Sequence, residues 1–349
     1  MTASLHVDLN AFARNLSRVR TVVGPAEVML VVKDDAYGHG IAPVVRRAAQ
    51  EGVSWFGAFD VSTGRAVRAT LGDSARIFVW MAGSQTDVDA VISERLEVGI
   101  GDAALLEQVA ATAASAGQVA RVHLKIDTGL HRNGIRPEHW PTFVAHAARL
   151  EQSGSIDVVG VWSHIAEASN DEDDESRRLY EDALAKAATA GLAISVRHLA
   201  ASAAAFARPE FRYDLVRVGA FCYGIRSAGG ASEQALGLTV VSRLEADVTA
   251  VGEKSVTVNI GSLDGLASPL AGLVRVGTPA GSRKLLSVGD SQSVVEKWPD
   301  ARVGDTVRIY GPGDLQEASP TDLAEAIDTI GEEIALRVSP LIPRVYSGE

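Results

Sequence analysis

Short apolar runs alternate with longer segments of helical period between about residues 28 and 218. The apolar runs have the length of strands, and they are Val28–Lys33, Trp55–Phe59, Arg76–Met81, Leu96–Ile100, Ala120–Ile126, Ile156–Trp162, Ile194–His198 and Asp214–Val218. Apolar strands that alternate with helices are typical of a parallel sheet that is buried on both faces. Eight such strands predict an α/β fold with a (β/α)8 TIM-type barrel. An open doubly wound sheet is disfavoured because no Gly-rich dinucleotide fingerprint follows the first strand.

The pattern changes after about residue 235, where β-branched runs are interrupted by Gly, Pro and Asp. The predicted strands of this part are Leu238–Ala250, Ser255–Ile260, Gly272–Val276, Lys284–Val288 and Thr306–Tyr310, and the predicted helix is Thr321–Asp328. Short strands separated by turn residues indicate a smaller, mainly antiparallel β domain. We therefore expect a barrel formed by residues 1–232 and a C-terminal β domain formed by residues 233–349.

Composition and charge argue against several classes of partner. The 349 residues carry a formal net charge of −11, which disfavours binding to a nucleic acid or to an anionic membrane surface. No apolar run approaches the ~20 residues of a membrane span, and the N-terminus lacks the pattern of a secretory signal. Cys222 is the only cysteine, so we expect no internal disulfide and a reducing, cytoplasmic location. No metal site is predicted.

Polar side chains occur at the carboxyl ends of the predicted barrel strands. In chain order they are Lys33, Lys125, Asp127, Arg132, His164, His198, Ser202 and Arg217, and Gly219 follows at the end of the last strand. The strands of a TIM barrel bring such residues to one face, where these barrels carry their reactive groups. Taken singly, His164 could be a hydrogen-bonded core histidine, Ser202 a helix N-cap and Arg217 half of a structural ion pair. Their joint placement predicts an active site instead.

The run Val31–Gly40, with the sequence VVKDDAYGHG, places Lys33 where an apolar strand turns toward a helix. A lysine amine in such a place can attack a carbonyl carbon and form a Schiff base. Tyr37 is placed to orient a ring or a phosphate, and His39 is interpreted as a residue that orients the loop. This run resembles the motif that carries the pyridoxal-phosphate (PLP) lysine in the alanine racemase family.

The resemblance extends over nearly the whole chain. The further segments that carry it are Leu124–Gly134, Val161–His164, His198–Ser202, Asp214–Gly219 and Tyr223–Gly224. It implies that Lys33 binds PLP covalently and transfers the proton at Cα of the substrate. It also implies that Arg132 contacts the phenolic oxygen of the cofactor or the substrate carboxylate. Lys125, at a position that is often carbamylated in the family, would support Arg132.

The same resemblance implies where the rest of the cofactor is held. His164 would pack at the pyridine ring and Arg217 would hydrogen-bond the ring nitrogen. The implied phosphate ligands are Tyr37, Ser202, Gly219 and Ala220, which offer hydroxyl and backbone N–H donors. A guanidinium does not give up its proton at working pH, so Arg217 would donate a hydrogen bond without protonating the ring. The ring is then a weaker electron sink, which suits simple removal and return of a proton.

The sequence departs from the family where the partner subunit normally contributes to the site. The family places a catalytic tyrosine in a hairpin, but residues 251–261 are too short for that hairpin and contain no tyrosine. The following landmarks are altered as well, to Gly261–Gly265 and Val288–Ser291, and Pro340 stands at the position of a phosphate-binding tyrosine. Groups that could replace the missing tyrosine on the second face of the substrate are Ser262, Asp264 and Asp290, together with His131.

The resemblance implies a PLP-dependent amino-acid racemase that acts as a homodimer on a small-molecule amino acid. Two alternatives stay open because the tyrosine is missing. One is a one-base PLP enzyme, such as an aldolase or a decarboxylase, and the other is a non-catalytic PLP-binding or regulatory relative. The weak electron sink at Arg217 favours racemisation. The retained β domain and the complete set of Lys33, Arg132, His164 and Arg217 disfavour a non-catalytic role.

Overall fold

The computed structural model describes residues 3–167 and 169–348, which form two compact units. The barrel unit consists of Val19–Lys33 and Ala48–Gly219. The β unit consists of Asp34–Arg47 and of the described parts of residues 1–18 and 220–349. The two units thus alternate three times before residue 49 and once more at residue 220. The sequence predicts one division after residue 232, and that boundary stays a prediction.

Both units contain β-strands. In chain order, the strands of the described residues are β1 (Ser4–Asp8), β2 (Glu27–Val31), β3 (Trp55–Asp60), β4 (Arg76–Met81), β5 (Glu97–Ile100), β6 (Ala120–Lys125), β7 (Ile156–Trp162), β8 (Val196–His198), β9 (Leu215–Val218), β10 (Ser242–Val251), β11 (Ser255–Val258), β12 (Arg275–Thr278), β13 (Gly281–Val288), β14 (Ser293–Glu296), β15 (Thr306–Tyr310) and β16 (Arg344–Ser347). Strands β2 to β9 belong to the barrel unit and the others to the β unit.

The strands of the barrel unit are all parallel and follow the order β8-β7-β6-β5-β4-β3-β2-β9. The two ends of this sheet meet, because the Asp214 N–H donates to the Arg197 carbonyl at 3.2 Å and the Arg217 N–H donates to the Ala200 carbonyl at 3.1 Å. Each strand overlaps one of the eight predicted apolar runs. The predicted (β/α)8 barrel is confirmed.

Large apolar side chains fill the middle of the barrel. A buried cluster is formed by Met29, Trp55, Phe78, Trp162 and Leu215. These residues come from strands spread around the barrel, so their side chains meet at its axis. The interior is therefore a packed core rather than an open channel.

Helices connect the strands. They are α1 (Leu9–Val23), α2 (Lys33–Tyr37), α3 (Ile41–Gln50), α4 (Val61–Leu71), α5 (Gln85–Ser93), α6 (Ala103–Ser115), α7 (Trp140–Gln152), α8 (Asn170–Thr189), α9 (Ser202–Ala207), α10 (Glu233–Leu236), α11 (Pro320–Glu325) and α12 (Gly331–Arg337). Side-chain N-caps begin four of the barrel helices, at Asp60, Ser84, Asp102 and Ser169. Such caps satisfy backbone N–H groups that have no partner within the helix. Within the described residues, no helix is long and apolar enough to cross a membrane.

The β unit contains a second closed arrangement of strands. Strands β10, β11, β14, β13, β12 and β15 pair in a ring, and every pair in it is antiparallel. Strand β1 adds to β10 in the antiparallel direction, and β16 adds to β1 in the parallel direction. The predicted mainly antiparallel β domain is confirmed. Strands β1, β14 and β16 and helix α12 were not predicted, because each is short and lacks a long periodic pattern.

A left-handed turn follows strand β2 and makes up most of the short segment α2, which is therefore not a regular right-handed helix. Residues Asp34, Asp35 and Ala36 have φ of 53–55° and ψ of 49–51°, and Tyr37 has φ of 56°. Non-glycine residues adopt this conformation at a cost of about 1–2 kcal/mol each, so the surrounding structure must hold it. Hydrogen bonds do so: the Gly40 N–H donates to the Asp35 carbonyl at 3.0 Å, and the Ile41 N–H donates to the Asp35 carboxylate at 2.7 Å.

His39, which also belongs to the β unit, stabilises the same turn. Its Nδ1 lies 2.9 Å from the Ala36 carbonyl and must donate to it, so Nε2 accepts from the Ser242 hydroxyl at 2.9 Å. The buried ring also stacks on Tyr223 with centroids 5.0 Å apart. These contacts assign His39 to the support of the turn, in agreement with its interpretation from the sequence.

His39 should make stability depend on pH. Burial lowers its pKa from 6.5 to about 4. As the pH falls from 6.5 toward 4, the unfolded chain takes up a proton that the folded chain resists, so the folded state loses stability. We expect His39→Gln to remove this loss, which is up to about 3 kcal/mol. The free energies of unfolding of wild type and variant, measured in urea at several pH values, should therefore converge toward acid pH. A difference that does not change with pH would contradict this assignment.

Candidate active site

The predicted reactive residues of the barrel unit lie at the carboxyl ends of its strands. Lys33 comes two residues after β2, Lys125 and His198 are the last residues of β6 and β8, and His164 comes two residues after β7. Arg217 is the third residue of the four-residue strand β9. The parallel barrel therefore brings these side chains to the same end.

Arg217 is the most heavily hydrogen-bonded side chain of this group. Its Nη1 donates to the His198 carbonyl at 3.0 Å and to His198 Nδ1 at 3.1 Å. Its Nη2 donates to the Ser163 carbonyl at 2.7 Å and to the Leu199 carbonyl at 2.9 Å. Burial lowers the pKa of Arg217 to about 10, so the guanidinium stays charged at neutral pH.

These partners rule out one interpretation of Arg217. Within the described residues, no carboxylate pairs with its guanidinium, so the alternative of a structural ion pair is wrong. The Nη groups donate to carbonyls and imidazoles, and no acceptor among the described residues takes the Nε–H. Arg217 therefore retains one donor for a ligand.

The cations of the site all lower the pKa of His164. Burial is the largest influence on its pKa, followed by the charges of Arg217, Arg132, Lys125 and Lys33, and together they lower it to about 3. Its Nδ1 accepts from Arg217 Nη2 at 3.1 Å, so the single proton of the neutral ring lies on Nε2. His164 is thus a neutral hydrogen-bond donor. Of the four cations, Arg217 contacts His164 directly.

Lys125 is an amine that loses its proton easily. Burial, followed by the charges of Arg132 and Arg217, lowers its pKa to about 8, although Asp127 opposes the shift. Its Nζ lies 4.4 Å from the centroid of the Trp162 ring. A substantial fraction of Lys125 is therefore neutral near pH 8.

The loop that carries Arg132 has a fixed shape. The Asp127 carboxylate accepts from the backbone N–H groups of Gly129 and His131 and from His131 Nδ1, at 3.0–3.1 Å. Gly134 has φ of 125°, and a Cβ there would lie 2.8 Å from the Asp127 nitrogen. Arg132 stands exposed on this loop. His131, a candidate for the second face, is occupied by its contact with Asp127.

The predicted phosphate ligands occur as two pairs. In the barrel unit, the Gly219 N–H donates to the Ser202 hydroxyl at 3.3 Å. Ser202 is the first residue of α9, and the cap position belongs to Ala201, so the N-cap alternative for Ser202 is wrong. In the β unit, the backbone of Ala220 hydrogen-bonds the phenol of Tyr37. Burial raises the pKa of Tyr37, which therefore stays protonated and able to donate.

The candidates for the second face lie together in the β unit. The Ser262 N–H donates to the Gly289 carbonyl at 2.8 Å and the Leu263 N–H donates to the Asp290 carbonyl at 2.9 Å, so the two loops touch. The Asp264 carboxylate accepts the Gly261 N–H at 2.9 Å. The hairpin between β10 and β11 is short, with Gly252 donating to the Ser255 carbonyl at 2.8 Å.

Two polar residues of the barrel interior were missed from the sequence. His123 Nδ1 lies 2.9 Å from His198 Nε2, and His123 Nε2 lies 2.9 Å from the Glu97 carboxylate. Both residues are buried. The available signal was a titratable residue inside each of two apolar strands, β5 and β6, since such residues are rarely buried without partners.

Comparisons with known proteins agree with this geometry. Residues 7–227 match the family model described as the N-terminal domain of alanine racemase. The chain belongs to the alanine racemase family. It is 37% identical to the alanine racemase of Beutenbergia cavernae, over 98% of this chain and 97% of that protein. It is 35% identical to the alanine racemase of Thermobifida fusca, over 99% and 98% of the two chains.

Solved structures give the same result. The structure of the alanine racemase from Streptomyces coelicolor A3(2) is similar with a TM-score of 0.95 and 31% identity, over 100% of this chain and 98% of that one. The alanine racemase from Streptomyces lavendulae gives a TM-score of 0.94 and 30% identity, with the same coverage. The predicted family is confirmed, and with it the prediction of an isomerase, an amino-acid racemase.

The residues present fit the cofactor that this family uses. PLP carries an anionic phosphate and a phenolic oxygen, both of which attract cationic side chains. Its ring nitrogen accepts a hydrogen bond. The barrel unit offers Lys33, Lys125 and Arg132, whose positive charges all lower the pKa of His164. The hydrogen bonds of Arg217 to the described residues are made by its two Nη groups, which leaves the Nε–H for a ligand. This donor set suits an anionic aromatic ring.

Proposed function

We propose that this protein is a PLP-dependent racemase that interconverts the enantiomers of alanine. The observation that carries the proposal is that Lys33, Lys125, His164 and Arg217 lie at the carboxyl ends of the barrel strands, with Arg217 hydrogen-bonded to His164 at 3.1 Å. The charges of Lys33, Lys125, Arg132 and Arg217 all lower the pKa of His164. Alanine is proposed as the substrate because the relatives from Beutenbergia cavernae and Thermobifida fusca, similar over nearly their whole length, are alanine racemases.

Each residue of the barrel unit has a separate task in this proposal. Bound PLP supplies a conjugated ring that withdraws electrons from the substrate Cα. Lys33 holds the cofactor through its amine and removes or returns the Cα proton on one face. Arg217 donates its Nε–H to the ring nitrogen, and Arg132 binds an anionic oxygen. Ser202 and Gly219 bind the phosphate, while the phosphate role of Tyr37 and Ala220 stays a prediction.

Arg217 limits how far the ring can withdraw electrons. Its carbonyl and imidazole partners leave it charged at neutral pH, since its pKa is about 10. A group that keeps its proton donates a hydrogen bond to the ring nitrogen but does not protonate it. Negative charge at Cα is then stabilised only weakly, which favours return of the proton over cleavage of a C–C bond at Cα. This supports racemisation over decarboxylation or aldol chemistry.

Proton exchange at Cα tests the proposal. With PLP-loaded protein and a single enantiomer of alanine in heavy water, we expect the Cα proton signal to disappear and the other enantiomer to form. Proton NMR followed by chiral chromatography measures both. Lys33→Ala should abolish exchange and the visible absorption of protein-bound PLP, whereas Lys186→Ala, which changes an exposed lysine paired with Asp182, should not.

Other outcomes identify other chemistry. Exchange without the opposite enantiomer would overturn racemisation and indicate a one-base enzyme. Turnover of a larger amino acid but not of alanine would overturn the proposed substrate. Asp264→Asn and Asp290→Asn, tested in the same way, examine the second face: the variant that retains exchange but no longer inverts the substrate identifies the second proton donor.

Carbamylation of Lys125 is also proposed. The neutral amine would attack the carbon of CO2 and form a new N–C bond. One C=O π bond of CO2 would open with its electron pair moving to oxygen, and one amine proton would be released to solvent, which leaves a carbamate anion. The low pKa of Lys125, about 8, supplies the neutral amine. The product is an anion, which would replace repulsion from Arg132 and Arg217 with attraction.

The modification should be visible directly. In protein equilibrated with 13C-labelled bicarbonate near pH 8, we expect a carbamate carbon resonance that Lys125→Ala removes and Lys186→Ala retains. The resonance should fade as the pH falls below the pKa of Lys125, because the protonated amine does not react. The same spectrum for wild type and Lys125→Ala would contradict carbamylation of this residue.

A homodimer is proposed as the assembly. Leu263, Leu273 and Leu341 of the β unit are 75%, 63% and 91% exposed, which is unusual for large apolar side chains. The segments that carry Leu263 and Leu341 touch, since the Ser339 N–H donates to the Asp264 carbonyl at 3.0 Å. A second copy of the chain covering this surface would bury these leucines. Light scattering of the purified protein at twice the chain mass would agree, and the mass of one chain would contradict it.

The cytoplasm is proposed as the location. The chain has a single cysteine, Cys222, and that residue is buried. Proteins that function in oxidising compartments commonly use cysteines in disulfides, which one cysteine cannot form within a chain. Fractionation of cells that express the protein measures its location.

A further inference from the structure

A line of buried polar groups crosses the interior of the barrel unit. It consists of Glu97, His123, His198 and Arg217, joined by contacts of 2.9, 2.9 and 3.1 Å. We infer that Glu97, His123 and His198 are positioning residues that orient the Arg217 guanidinium and enhance its hydrogen bonding through a chain of one fixed polarity. This inference rests on the proposed function, in which Arg217 serves the ring nitrogen.

Arg217 and Glu97, at the two ends of the line, both require its hydrogen bonds to run in the same direction. A guanidinium has only donors, so His198 Nδ1 must accept from Arg217, and the proton of the neutral ring lies on Nε2. His198 Nε2–H then donates to His123 Nδ1, which places the His123 proton on Nε2. That N–H donates to the Glu97 carboxylate, which has only acceptors. Every donor in the line therefore points from Arg217 toward Glu97.

Both rings are held neutral and Glu97 is held ionised. Burial lowers the pKa of His198 and that of His123, although Glu97 opposes the shift of the latter. Burial also opposes ionisation of Glu97, but hydrogen bonds from His123 and Arg76 outweigh it and lower the pKa to about 2. Two of these bonds come from Arg76, at 2.7 and 3.0 Å. Glu97 therefore stays ionised at neutral pH and places a negative charge at this end of the line.

The barrel core is shaped to keep the rings in place. His198 stacks on Trp162 with an angle of 2° between the rings, and Phe78 packs edge-on against His198. Gly160 leaves the space that His123 needs, since a Cβ there would lie 2.3 Å from His123 Nδ1. That nitrogen is the acceptor in the middle of the line. A Cβ at Gly160 would also lie 2.8 Å from the Val196 carbonyl oxygen, so these two contacts, rather than the backbone conformation, require the glycine.

The line connects opposite ends of the barrel. Glu97 is the first residue of β5, near Arg76 at the start of β4, whereas Arg217 is close to the end of β9. Hydrogen bonds that run in one direction polarise each other. The Glu97 anion therefore makes His123 Nδ1 and then His198 Nδ1 stronger acceptors. As a result, His198 Nδ1 holds Nη1 of Arg217 more firmly than an isolated imidazole would. The position of the remaining Nε–H is fixed as a result.

The polarity can be measured without any cofactor. In 15N-histidine-labelled wild-type protein at pH 7 that contains no PLP, we expect His123 and His198 both to be neutral and to carry the proton on Nε2. Long-range 1H–15N spectra distinguish this tautomer from the one protonated on Nδ1. A proton on Nδ1 of either ring, or a cationic ring, would overturn the inference whether or not the protein binds PLP.

Two variants test the effect on Arg217. Glu97→Gln removes the anionic acceptor. Gly160→Ala keeps all four polar side chains but displaces His123 and also crowds the Val196 carbonyl, so Glu97→Gln is the variant that isolates the anion. For both we expect the 15N resonance of the pyridine nitrogen in bound labelled PLP to move toward the value of a ring without a hydrogen bond. We expect kcat to fall about tenfold with little change in KM for alanine.

Asp157→Asn is the matched control. It removes a carboxylate that pairs with Arg121, a second arginine that approaches Glu97, without touching His123. We expect this variant to match wild type in the ring nitrogen resonance and in kcat. If Glu97→Gln and Gly160→Ala also match wild type in both measurements, the inference is overturned. Failure of wild-type protein to bind PLP would instead overturn the proposed function.

Discussion

The architecture of the barrel unit depends on keeping one buried guanidinium charged and satisfied. Arg217 lies among carbonyls and imidazoles rather than beside a carboxylate. A buried charge without such partners would cost several kcal/mol. The carbonyls that satisfy it belong to Ser163, His198 and Leu199, at the ends of β7 and β8. The positions of these strand ends are therefore tied to a single side chain.

The need to keep Arg217 charged also explains why its neighbouring side chains are neutral. A carboxylate beside Arg217 would neutralise the charge, and the imidazoles that stand there instead are held neutral by burial and by the surrounding cations. The nearest carboxylate on this line, Glu97, is separated from Arg217 by two rings. Positive charge consequently stays concentrated at the carboxyl ends of the strands, where it lowers the pKa of Lys125 to about 8. An anionic ligand gains from this arrangement.

The β unit contains the segments where the sequence predicts a departure from the family pattern. The hairpin between β10 and β11 is short, and residues 251–261 contain no tyrosine. The loops of Ser262 and Asp290 contact each other, as hydrogen bonds between them show. These segments are loops, which tolerate changes better than the strands they connect, and the ring of six strands is closed.

The sequence by itself determined the elements of the barrel and the ends at which chemistry occurs. Apolar runs and helical periods are local patterns, so β2 to β9 and the placement of Lys33, Lys125, His164 and Arg217 followed from them. Tertiary structure alone decided that Glu97 and His123 lie in line with Arg217, because side chains from strands far apart in sequence meet only when the barrel closes. It also decided that β1 joins the β unit and that Asp34 to Tyr37 form a left-handed turn. No local pattern encodes either feature, since a partner strand and the bonds from His39 to Ala36 and Ser242 are what stabilise them.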